Sequence, residues 1–233
     1  MPLPKQINKR VMLPLNVEEK RSIRSWADDF GISLSSSQLS LFRIYLDELW
    51  DWNKRVNLTG LSSRQGIINE LLLDSLLPLP SLPEKGRLLD VGSGAGFPAI
   101  PLKICRPVLL THLLEAQSKK VSFLRQVIRL AGLDKIEVMR VRIEKAGGIL
   151  HTAGYHIITA RALAHLPQTL EWCAPYLRPG GLIVNFQGSE FRDTLKESSG
   201  IIEKHRLVLF KSIPYTLPGK HSQRHLLIFK KHE

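Results

Sequence analysis

The chain has 233 residues, enough for one domain with a buried core and a smaller appendage, and its 43% hydrophobic and 23% charged content is that of a globular fold. Its 33 Lys and Arg against 21 Asp and Glu leave a net charge of +12, which favours an anionic partner. No apolar run reaches the roughly 18 residues of a membrane span, and residues 1–20 lack the apolar core of a secretory signal, so a cytoplasmic protein with no membrane partner is expected.

Residues 38–56, QLSLFRIYLDELWDWNKRV, place Leu39, Phe42, Leu46 and Leu49 on one helical stripe with Trp50 beside it, and the preceding serines of SSSQ offer N-caps. A second helical pattern, GIINELLLDSLLPLP (66–80), runs into Pro78 and Pro80. PSLPEKG (80–86) then reads as a linker, dividing a helical N-terminal extension (1–85) from a second domain (86–233).

From residue 86 short apolar runs alternate with helical segments, the pattern of parallel strands and crossover helices. RLLDVG (87–92), VLLTHLLEA (108–116), IEVMRVR (136–142), HIITARAL (156–163) and GLIVNFQG (181–188) read as strands. Between the second and third, SKKVSFLRQVIRLAGL buries Val121, Leu124, Val127, Ile128 and Ala131, exposes Ser122, Arg125 and Arg129, and stops at Gly132. KHRLVLFKSIPY (204–215) and RHLLIFKK (224–231) are strand-like with no helix between them, so an antiparallel pair is expected to close the sheet. Cys105 and Cys173 fall in helical patterns without metal or redox spacing and read as buried reduced thiols. His112, His165 and His205 also lack metal-ligand spacing, and no metal is expected.

The charge excess lies in the second domain: residues 1–85 carry 11 basic and 10 acidic residues, and residues 86–233 carry 22 and 11. Residues 119–145 alone hold eight cations and three acids, and Lys204, Arg206, Lys211, Lys220, Arg224, Lys230 and Lys231 follow. A nucleic-acid footprint and a lysine-rich solvated surface both account for this.

LLDVGSGAGFPAIPLKI (88–104) sets Gly92, Gly94 and Gly96 between a strand and a helix whose prolines place its start near Phe97 or Pro98. Beyond the carboxyl ends of a parallel sheet, such glycines turn the chain sharply and let a ligand approach the backbone. Glu115, 19 residues after Gly96, ends the second strand, where an acid can accept from the ribose hydroxyls of an adenosine. The pyrophosphate fingerprint G-x-G-x-x-G would put its third glycine at 97, where Phe97 stands, and a Walker lysine is absent. A nucleoside cofactor without phosphates, such as S-adenosyl-L-methionine, suits the corner better than a dinucleotide, and a nicotinamide oxidoreductase is disfavoured.

Taken together, LLDVGSGAGFPAIPLKI, LLEAQSKKVSFLRQVIRLAGL, VRIEK, ITARALAHLPQTLEWCAPYL and the earlier WNKRVNLTG resemble the bacterial glucose-inhibited division protein B family, the small-subunit ribosomal RNA methyltransferase G enzymes, over about residues 38–230. The resemblance implies an α/β class I S-adenosylmethionine-dependent methyltransferase (Rossmann-like) fold, mainly parallel with a C-terminal antiparallel strand pair and a helical N-terminal extension. It implies methyl transfer from S-adenosyl-L-methionine to N7 of a guanosine in 16S ribosomal RNA, with naked RNA or an assembling small subunit as partner and the enzyme a monomer. By motif position Gly92 and Phe97 line the cofactor, with Gly94, Gly96 and Glu115 in the same binding set; Ile143 and Glu144 flank the adenine, and Arg161 closes the site after the fourth strand.

Guanine N7 has a free lone pair, so positioning suffices and neither base nor metal is needed. Pyrimidine C5 methylation would need a cysteine nucleophile at a strand end. Transfer to an exocyclic amine often uses an Asn or Asp followed by prolines and an aromatic, where this chain has TARAL. A small-molecule methyltransferase of the same fold and an inactive RNA-binding protein remain alternatives. Arg161, Glu144, Asn57 and Thr59 also have purely structural readings. Glu70 and Leu71 stand where the family commonly has a basic residue and a histidine before LDSL, and Gln187 where lysine is common before the glycine, which removes cations from the substrate side.

Overall fold

The computed structural model describes residues 15–232; residues 1–14, within the stretch that lacks a signal-like core, lie outside the described residues. Helix α1 (Val17–Asp29) opens with a capping box in which Asn16 and Glu19 satisfy each other's backbone N–H groups. Helix α2 (Ser36–Val56) is capped the same way by Ser35 and Gln38. It buries the expected Leu39, Phe42, Leu46 and Leu49, together with Tyr45, while Trp50 is half-buried.

The pattern over 66–80 is not one regular helix. α3 (Arg64–Ile67) passes into a π-helical turn (Ile68–Leu72) before α4 (Leu73–Leu76), and Leu79–Ser81 forms a 3-10 turn. Ile67, Ile68, Leu72, Leu73 and Leu76 are all fully buried, more than one helical stripe can direct inward. The π turn inserts a residue into the helical register, so both pairs of adjacent apolar residues reach the core.

Seven strands follow: β1 (Arg87–Val91), β2 (Leu110–Leu114), β3 (Ile136–Met139), β4 (Tyr155–Ala160), β5 (Leu177–Gln187), β6 (Leu207–Tyr215) and β7 (Arg224–Lys231). They form one sheet in the order β3-β2-β1-β4-β5-β7-β6; the first five are parallel, and β7 runs antiparallel to both β5 and β6. The order reverses between β1 and β4, which opens the crevice that ligands use in such sheets. β3 stops at Met139, short of the expected 142, because its neighbour among the described residues, β2, ends at the paired Leu114.

Strand side chains alternate between two cores. Leu88, Leu113, Ile157 and Val184 join α1, α2, α5 (Ala99–Cys105) and α6 (Ser118–Leu130), whereas Leu89, Leu114, Ile158 and Ile183 join α7 (Leu166–Cys173) and α8 (Phe191–Glu197). The first core runs without a break from the N-terminal helices onto the sheet. A further helix, α9 (Ser199–Lys204), precedes β6 and takes up the start of KHRLVLF. Cys105 and Cys173 are buried, free, and pushed up to about 12 by burial. Among the described residues no helix is long and apolar enough to cross a membrane.

Candidate functional site

At the carboxyl end of β1 the chain folds back on itself at three left-handed glycines, Gly92 (φ +73°), Gly94 (φ +54°) and Gly96 (φ +94°). The N–H groups of Gly92 and Ser93 both donate to Leu114 O, at 3.0 and 2.9 Å, which ties the corner to the end of β2. A Cβ on Gly92 would lie 2.8 Å from Leu163 Cδ1, and one on Gly96 would lie 2.6 Å from Ile100 Cδ1. The left-handed backbone angle is what requires glycine at both positions, and a Cβ would in addition displace the Leu163 or Ile100 side chain.

Glu115 is the second half of the cradle. Its Oε2 accepts from Gly94 N at 2.8 Å and its Oε1 from Gln117 N at 2.8 Å, so the acid positions the glycine loop and the turn into α6 together. Each carboxylate oxygen keeps further acceptor capacity. Gly92, Glu115, Ile143 and Glu144 share the wall of one cavity of about 320 Å³ with Leu163 and Trp172. That volume falls in the roughly 300–1,000 Å³ range of small-molecule pockets.

Beneath the corner, Asp90 is 1% exposed. Its Oδ1 accepts from Thr159 Oγ1 at 2.6 Å, its Oδ2 has no hydrogen-bond partner among the described residues, and burial pushes its pKa up to about 7. Asp90 is absent from the sequence-derived set, although an acid closing a strand directly before a glycine corner is a visible signal. The glycine cradle, the buried acids and the apolar wall of Ile143, Leu163 and Trp172 fit a nucleoside cofactor that carries positive charge.

Four members of the expected set do not line this cavity, and of these Gly94 is tied to it through its bond to Glu115. Gly96 is buried inside the loop, and its N–H donates to Ser93 O. Phe97 is 6% exposed and packs its ring 5.1 Å from that of Tyr45, so it backs the loop from the core. Tyr45 also donates its hydroxyl to Ala95 O at 2.6 Å, which lets α2 hold the glycine loop directly.

Arg161 turns toward the N-terminal helices. Its Nη2 reaches Asp74 Oδ2 at 2.9 Å and Glu70 O at 2.7 Å, and its guanidinium lies over the Phe186 ring. Asp74, fully buried, also accepts from the Tyr215 hydroxyl, and Arg224 stands 3.9 Å away. This cluster joins the π turn and α4 to the residue that follows β4 and to β6 and β7. Glu70 pairs with Lys220 at 3.1 Å, and Gln187 donates to Asn185 Oδ1.

Asn57 and Thr59 organise their own turn: Gly60 N donates to Asn57 Oδ1, and Thr59 N to Asn53 Oδ1. His112, His165 and His205 lie against Tyr155, Glu197 and Glu171. Several cations near the C-terminus are engaged within the fold: Lys204 with Glu171, and Lys231 with the carbonyls of Ala174 and Leu177. Arg142 reaches the wall of the cofactor-sized cavity.

A family model described as rRNA small subunit methyltransferase G matches residues 38–227. The chain is 38% identical over 203 residues to the ribosomal RNA small subunit methyltransferase G of Chloroflexus aggregans, covering 86% of this chain and 85% of that one. Among solved structures, a methyltransferase from Pyrococcus furiosus superposes with a TM-score of 0.57 at 15% identity, covering 82% of this chain and 97% of that one. M. jannaschii TYW2 in complex with AdoMet gives 0.56 at 15% identity, covering 75% and 78%. The fold is that of the class I methyltransferases.

Proposed function

The chain belongs to the rRNA small subunit methyltransferase G family, and from that premise we propose that it transfers the methyl group of S-adenosyl-L-methionine to N7 of a guanosine in 16S ribosomal RNA. The observation that carries the reading is the glycine corner bound to Glu115 and opening into a cavity at the carboxyl ends of the strands.

Residues 86–233 form the methyltransferase domain, and the helical extension before them holds its loop through Tyr45. Gly92, Gly94 and Gly96 shape the backbone against which the amino-acid end of the cofactor lies, and Phe97 supports that loop from behind. Glu115 accepts from the ribose hydroxyls with the capacity its two backbone bonds leave free, and Ile143 and Glu144 flank the adenine. Arg161, held by Asp74 and Glu70, closes the acceptor side after β4.

When bound, the cofactor supplies an electrophilic methyl group on a sulfonium. The chain contributes orientation and fixed charge: Asp90 and Glu115 place negative potential beneath the corner, and Leu163 and Trp172 exclude water. Guanine N7 presents its lone pair without deprotonation, so no residue is assigned as general base. The protein acts in the cytoplasm as a monomer, on the RNA of the small subunit or on a subunit in assembly.

Calorimetry separates this reading from its competitors. S-adenosyl-L-methionine is expected to bind and NAD is not; tight NAD binding without S-adenosyl-L-methionine binding would overturn it. Purified protein that binds the cofactor and methylates neither small subunits nor their RNA at low salt would point instead to a small-molecule acceptor.

A further inference from the structure

A second cleft, of about 560 Å³, lies at the opposite end of the sheet from the glycine corner. Its walls come from the amino ends of β4 and β5, the last residues of β7, Phe210 of β6, and the Pro80–Pro83 stretch that links the helices to the sheet. A strand's length, roughly 17 Å, separates the two ends, so the cleft is no part of the cavity at Glu115.

Its chemistry is cationic and aromatic. Phe210 is 49% exposed, with Lys211 Nζ 5.6 Å and Lys230 Nζ 5.7 Å from its ring centroid. Arg178 is exposed at the cleft, and among the described residues no carboxylate lines it. Arg178 shares its ring acceptor with a backbone donor. Its Nη1 lies 2.7 Å from His156 Nε2, while His156 Nδ1 lies 3.1 Å from Arg87 N. A neutral imidazole has one acceptor nitrogen, and both neighbours are donors, so one donor is left without a partner. Burial, with the charges of Arg178 and Arg87 beside it, holds the ring below its usual pKa and keeps it neutral. A surplus of donors and an open aromatic face together suit phosphate oxygens and a nucleobase.

We propose that this cleft binds a single-stranded segment of the same ribosomal RNA that carries the methyl acceptor, with a base stacked on Phe210 and adjacent phosphates at Arg178 and Lys230. The proposal rests on the RNA substrate assigned above, and it adds a second contact remote from methyl transfer. Such a contact raises affinity for a long, structured substrate and leaves the chemical step untouched.

The test uses the full chain with two variants, Phe210→Ala and the pair Arg178→Gln/Lys230→Gln, and Phe210→Trp as the conservative rescue. Binding to naked 16S RNA and to small subunits is measured across a salt series, beside cofactor calorimetry and turnover at saturating substrate. Phe210→Ala is expected to weaken naked-RNA binding roughly tenfold and Phe210→Trp to restore it. The paired variant is expected to lower the salt slope by about 1.4, from about 0.7 per phosphate contact on a single strand. Cofactor affinity and saturated turnover are expected to stay unchanged, which also shows that the variants fold. Unchanged RNA affinity and slope in variants of an enzyme that methylates RNA would overturn this cleft and leave the function standing. A loss confined to intact subunits would give the cleft to a ribosomal protein and overturn the assignment to RNA. If the wild-type protein neither binds nor methylates RNA, both readings fall.

Discussion

Replacing Asp90 by Asn tests whether the carboxyl beneath the glycine corner faces a cation in the bound cofactor. Burial, and further the charge of Glu115, pushes the Asp90 carboxyl up to about 7 in the folded protein, against about 3.9 in an unfolded chain. Folding therefore retains a proton that the unfolded chain gives up. The corresponding stability is fully present below about pH 4 and is lost as the pH rises through about 7. The gap between about 7 and about 3.9 corresponds to roughly 4 kcal/mol. The sulfonium and ammonium charges of S-adenosyl-L-methionine favour the carboxylate, so binding expels that proton wherever it is still held. Calorimetric affinity is then expected to rise about tenfold per unit from about pH 5.5 to 7 and to level above it, with up to one proton released per cofactor in the acidic range. Asp90→Asn, which keeps the shape and removes the titration, should flatten both the affinity profile and the pH dependence of stability. A wild-type affinity that is flat from about pH 5.5 to 7.5, without proton release, would refute the reasoning.

Gly92→Asp forces a side chain into φ +73°, against Leu163 and beside two acids, and cofactor affinity is expected to fall tenfold or more; unchanged affinity would make the corner only a turn. Tyr45→Phe leaves the buried Ala95 carbonyl without its donor, which should cost roughly 1–3 kcal/mol in urea denaturation and weaken cofactor binding through the loop. Asp74→Ala removes the acid that faces Arg161 in a buried pair, and a loss of roughly 3–5 kcal/mol is expected by the same measurement; a loss under about 1 kcal/mol would show the pair to be inert.

Much of the parallel sheet is legible in the chain because each strand is a short apolar run between glycines, prolines and helical periods. The stripe of α2 follows from spacing alone, as do Val121, Leu124 and Val127 of α6, whereas Ile128 is only half-buried and Phe123, outside the expected face, is fully buried against the rings of Tyr45 and Trp52. α1 escaped that reading: its apolar positions Ile23, Trp26 and Ala27 are few, although the Asn16–Glu19 capping box announces it. The π turn at Ile68–Leu72 has no periodic signature, since its cause is how many neighbouring apolar residues the core must accept.

The site divides in the same way. Gly92, Glu115, Ile143 and Glu144 were accessible through local motif order and meet in one cavity. Motif order sets Phe97 and Arg161 beside the cofactor and carries no information about their contacts with Tyr45 and Asp74. Tyr45 lies 52 positions before Phe97, and Asp74 lies 87 before Arg161. Those contacts exist only because the N-terminal helices pack on the sheet. The same packing sets Tyr215 on Asp74 and engages cations whose count alone suggested a free basic surface.

The most direct test of methyl transfer uses small subunits from a strain lacking this gene. The full-length protein and isotopically labelled S-adenosyl-L-methionine are added, and the subunit RNA is digested and mapped by mass spectrometry. One labelled 7-methylguanosine in the 16S RNA is the expected product. Label on a pyrimidine carbon or an exocyclic amine, or none in the RNA at all, would contradict it.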